Sequence, residues 1–121
     1  MHFHHIGVAT KDIQKSFTFL EKNFNVIGHT EIIDDPLQEA SLMMVQTDSL
    51  DIELVSGKVV EKLIEKKISY YHMCYEVDNI EIAIENFSEA IVVSPPKPAI
   101  LFDNRKVAFL HTPLGLIELL E

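Results

Sequence analysis

The chain has 121 residues, 47% of them hydrophobic and 24% charged, with four glycines and five prolines. That composition describes one ordinary globular domain and excludes a disordered chain or a two-domain enzyme. Ten basic against nineteen acidic residues leave a net charge of −9, which argues against nucleic-acid or anionic-membrane partners. A single cysteine, Cys74, with no signal-type segment and no long apolar span, points to a cytoplasmic protein without disulfides.

Taken in chain order, His5-Ile6-Gly7-Val8-Ala9 reads as a strand and Asp12 as a helix N-cap, with Ile13, Phe17, Leu20 and Phe24 following at helical spacing. Strands are expected near residues 26–33, 40–46 and 51–55, separated by the turn sequences Asp34-Asp35-Pro36 and Thr47-Asp48-Ser49. A short helix over residues 58–66 should follow. Then the pattern restarts. His72-Met73-Cys74-Tyr75-Glu76-Val77 reads as a strand, Asn79 as an N-cap, and Ile80, Ile84 and Phe87 as the apolar side of a second helix. Strands near 90–93, 106–111 and 115–120 complete this half. Ser94-Pro95-Pro96-Lys97-Pro98 and Thr112-Pro113-Leu114-Gly115 read as breaks, and residues 100–102 as a surplus strand to be dropped or merged.

The restart is an internal repeat, which says more about architecture than any local propensity. His5/His72, Ile13/Ile80, Phe17/Ile84 and Leu20/Phe87 all share an offset of 67, and each half closes on Ile-Glu-Leu, at Ile52-Glu53-Leu54 and Ile117-Glu118-Leu119. Glu53 lies 48 positions after His5, and Glu118 lies 46 after His72. The expected fold class is α+β, with two βαβββ modules (about 1–57 and 68–121, joined by a helix at about 58–67) forming one domain over residues 1–121.

Strand side chains alternate between faces, so apolar neighbours reveal where each repeated polar residue points. Ile6 and Val8 must face the first helix, which turns His5 away from it. Met73, Tyr75 and Val77 do the same for His72, Ile52 and Leu54 for Glu53, and Ile117 and Leu119 for Glu118. If the two sheets curl towards one another, two imidazoles and two carboxylates converge in a cleft. That donor set forms a neutral site around a divalent ion and suits Zn, Ni, Co, Fe or Mn. Four protein ligands leave an octahedral ion two positions for a carbonyl or enolate oxygen, or water. His2, His4, His29 and His111 have no repeat partner and are read as structural.

These residues resemble the vicinal oxygen chelate superfamily, which includes glyoxalase I, methylmalonyl-CoA epimerase, extradiol dioxygenases and the bleomycin and fosfomycin resistance proteins. The resemblance spans essentially the whole chain and is carried most specifically by His5-Ile6-Gly7-Val8-Ala9, Ile52-Glu53-Leu54, His72-Met73-Cys74-Tyr75-Glu76-Val77-Asp78 and Ile117-Glu118-Leu119-Leu120. It implies paired βαβββ modules in an open, cup-shaped mixed sheet with the helices outside. It also implies metal ligation by His5, Glu53, His72 and Glu118. The activity implied is that of a metal-dependent isomerase or lyase that removes a proton alpha to a carbonyl, with Glu118 or Glu53 as base. The nearest type is a methylmalonyl-CoA epimerase or related acyl-thioester epimerase, since Ala9 stands where glyoxalase I typically carries an arginine. The alternatives are a glyoxalase I-type lactoylglutathione lyase and a non-catalytic small-molecule binding protein. The strand before Glu53 offers only Glu39, Ser41 and then Leu42-Met43-Met44 where epimerases place a second base.

Arg105 is the only arginine, with Lys106 beside it and Lys97 on the preceding proline-rich segment. A forked guanidinium suits a carboxylate or phosphate, so Arg105 is a candidate substrate-binding residue; paired instead with Asp103 it is a hairpin charge. The expected partners are a small-molecule carbonyl or acyl-thioester substrate and, because open sheets expose edges, a second copy in a homodimer.

Overall fold

A computed structural model describes residues 1–121. Two compact units divide it, one comprising residues 5–71 and the other residues 72–121 together with residues 1–4. The unit of residues 5–71 takes β1 (His2–Ala9) from His5 onward, then α1 (Ile13–Asn23), β2 (Val26–His29), β3 (Ile33–Asp35), β4 (Ala40–Thr47), β5 (Asp51–Ser56) and α2 (Glu61–Glu65). Its strands lie in the order β2-β4-β5-β1, with β3 also on β4. The β1–β5 pair is parallel and the others antiparallel, so the sheet is mixed.

Local chemistry sets the helix. Asp12 accepts the Lys15 N–H at 3.0 Å as N-cap. Ile13, Phe17 and Leu20 then fall on one side and bury against Met43, Val45 and Leu54, with Val8 and Ile52 packed on the same cluster. Burying each such side chain contributes roughly 1.5–3 kcal/mol. The single strand expected at 26–33 is two strands, because Thr30 interrupts it. Its N–H donates to Met44 O at 2.9 Å and its hydroxyl accepts the Met44 N–H at 3.0 Å, holding β4 while the strand breaks. The expected helix at 58–66 is also shorter: a 3-10 turn at Lys58–Val60 leads into α2. Gly57 starts it at φ +107, where an added Cβ would sit 3.0 Å from the Glu39 carbonyl.

The other unit holds β6 (Tyr70–Glu76) from His72, then α3 (Ile80–Asn86), β7 (Ile91–Ala99), β8 (Arg105–Thr112) and β9 (Gly115–Leu120), in the strand order β6-β9-β8-β7. Here β6 and β9 are parallel and the remaining pairs antiparallel, repeating the first unit's pattern. Asn79 caps α3 by accepting the Ile82 N–H at 2.9 Å, and the Glu121 carboxylate accepts the Ile80 N–H at 3.0 Å. Ile80 buries among Ala108, Leu110, Ile117 and Leu119, with Tyr75, Ile84 and Phe87 alongside. Each unit thus follows the βαβββ pattern of an α+β fold, with the strand after α1 in the first unit split into β2 and β3.

The proline-rich segment corrects the sequence reading. Ser94 to Pro98 is not a break but the middle of β7, paired to β8 with register shifts between Val92 and Ser94 and between Ser94 and Lys97. Strand β7 ends the strand order, and an edge tolerates residues that cannot donate to the ladder. Residues 100–102 form a 3-10 turn rather than a strand, closed by Asp103 (φ 54) and Asn104 (φ 63), two residue types that accept the left-handed region. No helix is long and apolar enough to cross a membrane.

Candidate metal centre

In each unit one strand register brings a histidine to a glutamate. Strand β1 pairs with β5 so that Gly7 stands opposite Glu53, and His5, two residues back on the same face, comes diagonally onto it. His5 Nε2 lies 3.6 Å from Glu53 Oε1. Strand β6 pairs with β9 in the same way, with Cys74 opposite Glu118 and His72 two residues back; His72 Nε2 lies 3.2 Å from Glu118 Oε1. The second neighbours match as well, Met44 beside Glu53 and Phe109 beside Glu118. Leu54 in one unit and Ile117 and Leu119 in the other pack onto the helix side, so the strand alternation turns both glutamates to the opposite face.

All four side chains are buried, His5 and His72 at 0% exposure, Glu53 at 3% and Glu118 at 1%. Carboxylates leave water at high cost unless a cation or strong donors compensate. A neutral imidazole nitrogen and a carboxylate oxygen facing one another present lone pair to lone pair, so a proton or a metal cation must lie between them. With metal–nitrogen and metal–oxygen bonds of about 2.0–2.2 Å and octahedral to tetrahedral angles, two ligands of one ion lie roughly 2.8–3.6 Å apart; the 3.2 Å pair falls inside that span and the 3.6 Å pair at its upper end. The donor set therefore fits a divalent ion.

The basic residues near β8 separate. Lys106 turns to the helix side and pairs with Glu81 at 2.9 Å and Glu121 at 3.8 Å. That contact pushes the Lys106 ammonium up and holds the Glu81 carboxyl below its ordinary range. Arg105 points the other way. Its Nη2 donates to Glu76 Oε2 at 2.7 Å and its Nε to the Glu121 carbonyl at 2.6 Å, so its partner is Glu76 rather than Asp103. The Arg105 hydrogen bond is the main reason the Glu76 carboxyl titrates below its usual value. His29 makes a tilted ring contact with Phe17 at 4.6 Å and His4 meets Phe102 edge-on at 5.6 Å.

Sequence reasoning did not single out Phe109, whose ring stands edge-on to His72 at 5.4 Å. The signal was present, because Met44 and Phe109 share the offset of 65 that relates Glu53 to Glu118.

The family model of the Glyoxalase/Bleomycin resistance protein/Dioxygenase superfamily matches residues 4–109. Among solved structures, the hypothetical protein BH1468 from Bacillus halodurans C-125 is 26% identical with a TM-score of 0.77, over 98% of this chain and 92% of that one. Methylmalonyl-CoA epimerase from Mycobacterium tuberculosis is 15% identical with a TM-score of 0.79, over 99% of this chain and 87% of that one. The Streptomyces coelicolor methylmalonyl-CoA epimerase, in complex with 2-nitronate-propionyl-CoA, is 18% identical with a TM-score of 0.70, over 99% of this chain and 96% of that one. The two epimerases show a shared fold. No curated protein matches the chain.

Proposed function

The chain belongs to the Glyoxalase/Bleomycin resistance protein/Dioxygenase superfamily, and from that membership we propose a metal-dependent isomerase that moves a proton alpha to the carbonyl of an acyl thioester, most like methylmalonyl-CoA epimerase. The observation that carries this reading is the duplicated register, which sets a buried histidine against a buried glutamate in both modules. His5, Glu53, His72 and Glu118 each offer one ligand atom. In the proposal the two pairs are halves of one ligand set, completed within one chain acting as a single domain or between the two chains of a cytoplasmic homodimer.

A bound Zn, Ni, Co, Fe or Mn ion supplies Lewis-acid polarisation of the substrate carbonyl oxygen. The imidazoles of His5 and His72 hold position, being buried and fixed at the strand centres. Glu53 or Glu118, beside Met44 and Phe109 respectively, would take the alpha proton at a carboxylate oxygen, and a solvent-exchangeable proton delivered to the opposite face of that carbon would complete the inversion. Arg105, at the start of β8, is the proposed contact for an anionic group on the thiol carrier. Arg105→Ala should then raise KM for a coenzyme A thioester and leave a pantetheine thioester unaffected.

The glyoxalase I-type reading is favoured by one feature. The face of β4 that carries Met44 presents Leu42 and Met44, with no carboxylate there to act as a second base. Solvent-deuterium exchange separates the readings. Metal-loaded protein in deuterium oxide should label the alpha carbon of methylmalonyl-CoA under the first, and only convert a glutathione hemithioacetal under the second. Labelling of neither substrate, with tight binding of one, would identify a binding protein.

A further inference from the structure

At the end of α2 a lysine stands where chains ordinarily place glycine, and from that residue and the groove beside it we infer a binding site for a small phosphate ester. Lys67 N–H donates to Ile64 O at 3.0 Å and Ile68 N–H to Leu63 O at 2.9 Å, the paired bonds that close a helix on a residue in the left-handed region. That residue is Lys67, at φ 57. Glycine fills such a position without strain and asparagine sometimes does, so the backbone gains nothing from lysine there. The carbonyls of a helix end favour a nearby cation, but Lys66 already meets that need from an unstrained position. What lysine adds at 67 is its ammonium.

Lys67 borders a groove of about 450 Å³ formed by residues 9–11 and 64–69, wholly within the unit of residues 5–71. Small-ligand pockets have that size. Lys11 lines it from the turn after β1, and Ala9, Ile64 and Ile68 give it apolar surface. No ion pair or hydrogen bond holds either ammonium. The Ser69 hydroxyl is likewise uncommitted, whereas Thr10 spends its own on Ser16 and Asp12. Glu65 is the one carboxylate of the lining. Its surroundings outweigh it, because residues 10–16 and 58–69 hold six lysines against three carboxylates while the rest of the chain holds four basic against sixteen acidic residues. An anion is drawn to this patch and repelled from most of the remaining surface. Two ammonium groups and a hydroxyl match a dianion with three acceptor oxygens better than a single carboxylate, and the apolar lining takes the carbon side of an ester. The site is separate from the proposed metal centre, none of whose ligands lines it.

The chain, isotopically labelled at nitrogen, is titrated with n-butyl phosphate, inorganic phosphate and uncharged 1-butanol, and its amide resonances are followed by NMR. Butyl phosphate should shift residues 9–11 and 64–69 saturably, bind several-fold tighter than inorganic phosphate and weaken as salt is added, while butanol should not saturate. Lys67→Gly should lose about fivefold in butyl phosphate affinity, as one partly exposed charge contact gives. It should nevertheless melt roughly 2–4 °C higher than wild type, because glycine suits the left-handed position, so the lost binding is not a loss of fold. Lys11→Met should weaken binding as much with the melting temperature unchanged. Adenosine 3′,5′-bisphosphate distinguishes the source of the ester: tighter binding than butyl phosphate at the same residues identifies the end group of coenzyme A, and weaker binding a free phosphate ester. Shifts that do not saturate or that map to other residues, inorganic phosphate binding as tightly as the ester, or affinity unchanged in both lysine variants would overturn the assignment.

Discussion

Chelation tests the ligand set without a substrate. A ligand that binds only the folded protein stabilises it by RT ln(1 + [L]/Kd), about 2.7 kcal/mol when the metal is held at a hundred times its Kd. At about 2.1 cal/mol/K per residue, 121 residues have an unfolding entropy near 0.25 kcal/mol/K, so adding a chelator should lower the melting temperature by roughly 11 °C. In His72→Ala one donor is gone, and Glu118 loses the imidazole that faces it at 3.2 Å. If affinity falls about a hundredfold, the same metal concentration gives only about 0.4 kcal/mol, and the chelator shift shrinks to under about 2 °C. Differential scanning calorimetry with and without chelator reads this directly. Because the quantity is the shift within each variant, any loss from the mutation's own effect on packing cancels. His5→Ala should behave alike, since it occupies the same register position in the other module. An undiminished chelator shift in both variants would refute the assignment, and a shift lost in only one would show that the two pairs do not serve one ion.

Three further expectations follow from particular contacts. Cys74 is fully buried beside Glu118, and as a small apolar filler it should tolerate Cys74→Ser, with less than about a threefold change in exchange rate; a loss matching that of Glu118→Ala would make it a working thiol. Glu76 has its carboxyl held down by Arg105, so the pair's stabilisation is complete above the ordinary carboxylate range and disappears as acid protonates Glu76; both side chains are 41% exposed, so Glu76→Gln should cost only a few tenths of a kcal/mol at neutral pH and nothing in strong acid, as read by urea unfolding across pH. Asn79→Ala removes the cap of α3 and should cost about 1 kcal/mol in the same assay.

The duplicated module was legible because its signals are short-range and periodic: a capping side chain, apolar residues at helical spacing, and strands whose alternation is fixed by Val8, Leu54, Ile117 and Leu119. The same alternation gave the faces of His5, Glu53, His72 and Glu118, since one polar residue between two apolar ones has a single place to go. What failed depended on tertiary context. Prolines at 95, 96 and 98 signal a break in any window that ignores where the strand lies, and only the edge position of β7 makes them harmless. The division of Arg105 and Lys106 between faces was equally hidden, because strand parity there depends on where β8 begins, at Arg105 itself. The partner of Arg105 is Glu76, 29 residues away, a contact no local rule reaches.

The two modules repeat in backbone but not in the residues beside their carboxylates, and under the proposed function that difference distinguishes the two candidate bases. Glu53 has Gly7 on one side, which offers no side chain, and Met44 on the other, whose unbranched thioether repacks readily. Glu118 has the Cys74 thiol on one side and the Phe109 ring on the other, and that ring is itself set against His72. Its oxygen also stands nearer its histidine, 3.2 Å against 3.6 Å for Glu53. A carboxylate that must move to take a proton does so at least cost where its neighbours yield, so in the proposed reaction we assign Glu53 as the moving base and Glu118 as the fixed ligand. Glu53→Gln should therefore lower the alpha-proton exchange rate by about a hundredfold or more, the usual worth of a positioned base, with most of the metal retained because the ligand replaced is the one that leaves the ion in the proposed reaction. Glu118→Gln should lose metal first, and its exchange rate should follow its metal content, measured by atomic absorption on the same samples. The reverse pattern, exchange abolished in fully loaded Glu118→Gln and spared in Glu53→Gln, would transfer the base to the second module and show that crowding beside a carboxylate does not decide its role here.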